Sequence, residues 1–291
     1  MRSPRLLLVA FLCSGFSGAP LDAALTPSRA PSSADDLRIG GLFQATSDGT
    51  EGYLSRSVLL GAPGVTHIHE APADSIPSAD LTVIPINLLL RSLPLAPGAD
   101  GLVLTCSDNW VSFLPLSLVE TVHPYLLLKY AGRTPEQGWP RFSVDEGMNP
   151  YFSNWSPSLG PKDTSGDPFG EFDATQIVEI RAVNTHDRYA PFYEGALARI
   201  SPAAGEGRKI FIRECNVCHA GPRGVGGDNG HVSLATLEDT AVLRSEHFKA
   251  VVINPKAFYP KTVAPAHDTF TPEMMSQLIA FLTEARQAGV N

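Results

Sequence analysis

The chain has 291 residues, enough for two ordinary domains. Its 43% hydrophobic and 18% charged content is that of a globular protein and excludes a disordered one. The formal charge of −8 is unevenly spread: residues 196–291 hold a net +1 and residues 1–195 a net −9, which argues against a nucleic-acid partner and permits a basic protein partner.

The N-terminus reads as an export signal over residues 1–23. Arg2 and Arg5 supply the basic start, Leu6 to Phe16 a short apolar core, and Ser17, Gly18, Ala19 and Ala23 the small residues that follow. The apolar run is too short to span a bilayer, and no later stretch is long enough either. Phe11 and Leu12 stand before Cys13 where a lipid-attachment site would want small residues, so a cleaved signal and a soluble periplasmic protein are expected. Residues 24–36, rich in Pro and Ser, read as a loose linker.

Residues 37–190 read as an α+β domain, a mixed sheet with helices. Leu81–Ile84 and Leu102–Thr105 are short β-branched runs, and Ile84-Pro-Ile-Asn-Leu-Leu-Leu begins a helix. Thr175 to Val183 alternates, with Val178, Ile180 and Ala182 on one face and Glu179 and Arg181 on the other, as in a half-buried strand. Residues 138–170 are loop-like, and no internal repeat stands out. His67 and His69 share one strand face and read as a surface edge rather than a metal site. Residues 184–200 join this domain to the next.

The C-terminal part is built around Cys215-Asn216-Val217-Cys218-His219. C-x-x-C-H is the attachment signature of a c-type haem. Two cysteines about one helical turn apart can each add to one vinyl group of the same porphyrin, and the next histidine then lies under the ring to ligate iron. A thioredoxin-type redox pair needs no adjacent histidine, and a structural zinc site needs a second ligand pair that the chain lacks. One covalent haem c on Cys215 and Cys218 is therefore expected, with His219 as proximal iron ligand. The glycine-rich loop Gly221 to His231 is expected to supply the carbonyl that orients His219. Ser201-Pro202 and Thr271-Pro272 each open a helix with an N-cap and a first-turn proline. The last helix carries its apolar face on Met275, Leu278, Ile279 and Leu282, and Ser245 to Val252 forms a helix between them.

Residues 198–291 thus resemble a class I cytochrome c domain, which implies an all-α fold. The resemblance implies that Gly207 and Phe211 on the first helix meet Phe281 on the last. It also implies a sixth iron ligand from a methionine just before a proline. Ala264 occupies that position, before Pro265, and cannot ligate. His267 on the same loop is the candidate replacement; an open site, Met274 or Met275, and His231 or His247 are the alternatives.

The N-terminal domain resembles a degenerate sulfite-oxidase-type molybdopterin fold in the order of three pieces. These are Val83-Ile84-Pro85-Ile86-Asn87-Leu88-Leu89, then Ser107-Asp108-Asn109-Trp110 with Phe113-Leu114-Pro115-Leu116, and Leu126-Leu127-Leu128-Lys129-Tyr130-Ala131-Gly132. The family's metal cysteine would precede Val83, where the mature chain has none. Cys106 is on the wrong strand by that register and reads as a small buried thiol. The domain is expected to dock a partner and carry no cofactor. The whole reads as a periplasmic c-type cytochrome, a carrier rather than an enzyme, passing electrons to or from a redox protein. A haem protein reacting with a small molecule at an open sixth site, and a molybdopterin–haem oxidoreductase, are the alternatives.

Overall fold

The computed structural model describes residues 24–73, 75–141, 147–159, 174–262 and 264–290. The expected export signal with Cys13, and parts of the loop expected over 138–170, lie outside the described residues.

The N-terminal part alternates short strands with short helices: β1 (Leu37–Gly41), β2 (Gly52–Leu54), α1 (Arg56–Leu60), β3 (Thr66–Glu70), β4 (Ala79–Pro85), α2 (Ile86–Ser92), β5 (Gly101–Cys106), β6 (Val111–Pro115), α3 (Leu116–Val122), β7 (Tyr125–Tyr130), β8 (Phe152–Asn154) and β9 (Ile177–Val183). These strands form two sheets, ordered β2-β1-β9-β5-β6 and β3-β4-β7-β8. In the first, β1 and β9 run parallel and the other neighbours antiparallel. Between the sheets lies the main core. Leu37, Ile39, Leu102, Leu104, Leu114, Ile180 and Ala182 from the first sheet meet Ile84, Leu126 and Leu128 from the second, with α2 and α3 contributing Ile86, Leu89, Leu118, Val119 and Val122. Period-2 alternation sends one set of each strand's side chains to that face, while Leu81, Val83, Tyr125 and Leu127 of the second sheet join a separate core on its other side.

The helix expected from Ile84 begins at Ile86 instead. A residue before proline is pushed out of the helical region, so Ile84 stays extended and Pro85 closes the strand. Leu114-Pro115-Leu116 repeats the device at the start of α3. The two halves of the core are thus entered by the same strand–proline–helix unit, a short repeat unrecognised in the sequence.

The outer face of the first sheet is divided. One half carries an ion-pair network in which the nearly buried Glu179 binds Arg38 at 2.6 Å and Arg181 at 2.7 Å, while Arg181 also binds Glu51 at 3.1 Å. This explains how a nearly buried carboxylate is tolerated on the outer face of β9. The other half presents Val103 and Phe113, with Val111 and Val183, to the C-terminal helices.

Residues 184–200 are packed structure: α4 (Thr185–Tyr193) and a 3-10 turn over Gly195–Arg199. Phe192 is fully buried, with ring centroids 6.0 Å from Phe211 and 6.4 Å from Phe281. Residues 24–36 are likewise tied down, since Leu25 N–H donates to Ser92 C=O at 2.6 Å and Ser28 pairs with Tyr53.

The C-terminal part is helix-rich: α5 (Pro202–Ile210), α6 (Leu234–Leu243), α7 (Ser245–Ile253), α8 (Pro255–Phe258) and α9 (Pro272–Ala288). Ser201 and Thr271 cap their helices through N–H donors of Ala204 and Met274, both at 3.2 Å. Where α5 crosses α9, Gly207 lies so close that a Cβ there would meet the Gln277 carbonyl at 1.8 Å. Next to it Phe211 and Phe281 stack at 5.5 Å. No described helix is long and apolar enough to cross a membrane.

Candidate haem site

Between α5 and the Cys215–His219 run the chain makes one wide π-type turn. Asn216 N–H donates to Phe211 C=O at 2.8 Å, five residues back. This turn lets Phe211 stay in the α5–α9 contact while changing the direction in which Cys215 leaves it. Cys215 C=O then accepts from Cys218 N–H at 3.1 Å and His219 N–H at 2.8 Å, so the two cysteines and the histidine share one helical turn. No described cysteine is in a disulfide. Burial, with the neighbouring Glu214 carboxylate and Cys218, pushes the Cys215 thiol up to about 12.

His219 Nδ1 faces Val232 C=O at 3.4 Å, the arrangement in which Nδ1–H donates and Nε2 is left to ligate. The expected carbonyl lay within Gly221 to His231; it comes from the next residue. Burial lowers the pKa of His219, against the raising influence of Val232 and Asp228, so the ring is held neutral. The glycines of the loop have distinct jobs. A Cβ on Gly230 would stand 2.4 Å from Cε1 of His219, and one on Gly227 would stand 2.0 Å from Val217 O. Glycine there allows backbone to close over the motif.

A charge on His267 would lower the pKa of His219. Its side chain is 19% exposed, its ring packs at 4.8 Å on Phe270, and its Nδ1 is 4.0 Å from a Glu214 carboxylate oxygen. Burial lowers its pKa, opposed by Glu214, which leaves a neutral imidazole. Of the rival donors, the two methionines and His247 pack against other residues. Met275 is buried and Met274 partly buried in the α5–α9 core, and His247 on α7 stands edge-on to Phe258 at 5.2 Å. His231 is exposed.

No family model matches the chain. A stretch of 94 residues is 30% identical to cytochrome c6 of Gloeothece citriformis (strain PCC 7424), covering 31% of this chain and 82% of that protein. The chain belongs to the cytochrome c family.

The residues fit the haem that membership in the cytochrome c family implies. Two cysteines stand on one turn, a neutral histidine has one nitrogen already oriented by a carbonyl, and Gly230 sets no side chain of its own against the imidazole. The N-terminal part reaches the same place, which sequence reasoning missed. Asn109, at φ 68° in the turn between β5 and β6, accepts from Asp228 N–H at 3.0 Å. Val111 N–H donates to Val217 C=O at 3.0 Å, inside the cytochrome c motif itself. Only the tolerance of Asn109 for a left-handed turn was visible beforehand, and it names no partner.

The other residues singled out lie apart from this site. Cys106 is buried at the end of β5, and burial, with Asp108, raises its thiol pKa so that it stays protonated. His67 and His69 are exposed on β3, an edge strand, and bond Thr82 at 3.3 Å and Asp80 at 2.7 Å. Among the described residues no three His, Cys, Asp or Glu side chains cluster as a metal site.

Proposed function

We propose that this protein is an exported, periplasmic c-type cytochrome that carries electrons to or from a redox protein. One haem is bound covalently by Cys215 and Cys218, with His219 as proximal ligand and His267 as the sixth. Residues 198–291 form the cytochrome c domain. Bound there, haem would supply a one-electron Fe(III)/Fe(II) couple.

The observation that carries this reading is the pairing of the C-x-x-C-H turn with a neutral His219 whose Nδ1 is committed to Val232. Val232 makes Nε2 a better donor, Gly230 keeps the ring face clear, and the buried α5–α9 crossing fixes the helix from which the motif leaves. His267 packs on Phe270 and lies near Glu214, the residue before Cys215. Such a fixed ligand set requires little rearrangement when an electron arrives, which suits a carrier.

The purified protein should keep haem-dependent peroxidase staining on a denaturing gel. The double variant Cys215→Ser/Cys218→Ser should lose the stain. Unstained wild-type protein from a host that matures c-type cytochromes would overturn the assignment.

A further inference from the structure

The turn between β5 and β6 grips the loop that orients His219. Three hydrogen bonds cross from it. Val111 N–H donates to Val217 C=O at 3.0 Å, Asp228 N–H to Asn109 C=O at 3.0 Å, and Asn229 Nδ2 to Asp108 Oδ2 at 2.5 Å. Asp108 is itself held, since its other oxygen accepts from Trp110 N–H at 3.1 Å. Gly227 fits between the two parts: a Cβ there would meet Val217 O at 2.0 Å and Asn109 O at 2.9 Å.

The gripped residues belong to a short, continuous loop. Gly227 N–H donates to Asn216 C=O at 2.8 Å and Gly230 N–H to Cys218 C=O at 2.9 Å, so the loop folds back over the motif. Gly230 then abuts the His219 ring, and Val232 presents the carbonyl that faces His219 Nδ1. From Asn229 to Val232 is three residues, too few to absorb a displacement without passing it on.

We infer that the N-terminal domain is a clamp on the proximal loop: Asp108, Asn109 and Val111 position Val232 against His219 and thereby help to set the haem potential. The inference rests on the assignment of haem to Cys215, Cys218 and His219. Asp108 and Asn229 are positioning residues, acting through the loop. A firm Nδ1–H to carbonyl bond raises the donor strength of Nε2, which favours Fe(III) and lowers the potential. Loosening the clamp should raise it.

Asn229→Ala tests this without changing charge. A hydrogen bond to a carboxylate is lost, so the Asp228 amide should exchange with deuterium about tenfold faster, in the apo and the haem-loaded chain alike. The haem-loaded variant should show a more positive potential than wild type. The reciprocal exchange Asp108→Asn/Asn229→Asp keeps the net charge and rebuilds the bond with donor and acceptor reversed. It should restore both the exchange rate and the potential. A covalently haem-loaded Asn229→Ala protein with an unchanged or lowered potential overturns the clamp alone, as does an exchanged pair that fails to restore it. Absence of covalent haem from wild type overturns instead the functional reading beneath it.

Discussion

At the residue scale, the proposed occupant of the iron's sixth position is His267. Ala264 has no donor atom, Met275 is committed to the α9 core, and a neutral His267 stands within electrostatic reach of His219. A second imidazole donates more strongly to Fe(III) than a thioether does, so the oxidised protein should be low-spin with a potential below that of His/Met cytochromes. His267→Ala should turn the oxidised haem high-spin and let carbon monoxide bind the reduced form rapidly, read by optical spectroscopy and flash mixing. A wild type that is already high-spin and indifferent to His267→Ala would point to an open sixth site. The C-x-x-C-H run and the missing methionine are legible in the sequence because both are local patterns. The Val232 carbonyl was missed by one residue, since a loop of glycines does not reveal which carbonyl it turns inward.

At the element scale, the capped helices were readable and the uncapped logic was not. Ser201-Pro202 and Thr271-Pro272 gave α5 and α9 their starts, and both caps are made. Helix α4 was missed because Pro191 interrupts its pattern and few apolar residues mark its face. Its real cue is the aromatic pair Tyr189 and Phe192, whose partners lie far away in sequence. The α5–α9 crossing allows a test in which two known effects oppose each other. Alanine is a better helix former than glycine by about 1 kcal/mol, so Gly207→Ala would stabilise an open helix. Here the added Cβ meets Gln277 backbone, which cannot swing aside, and overpacking of that kind costs about 1–3 kcal/mol. Crowding should win, and the urea midpoint should fall. A raised midpoint would mean the helices do not approach as closely as described.

At the scale of the whole molecule, the sheets and the C-terminal helices meet through one apolar half of a sheet face and one hairpin turn. Sequence reasoning separated an acidic N-terminal domain from a haem-motif domain and set a connection between them. It could not show that Val103 and Phe113 are sheet residues facing away from their own core, because alternation tells two faces apart without saying what covers each. Nor could it show that Ser107–Trp110 lies against the haem motif, since hydrogen bonds between Asp108 and Asn229 leave no trace in local composition.

Covalent haem at Cys215 and Cys218 is the property on which the proposed function depends. The most direct measurement is the alkaline pyridine spectrum of the purified, reduced protein together with acid–acetone extraction. Two thioether links saturate both vinyl groups, so the absorption should be shifted to shorter wavelength than that of haem with free vinyls. The colour should stay with the protein at about one haem per chain, given the one motif. Haem that passes into the acetone with its vinyl groups intact, or iron well below one per chain, would contradict it.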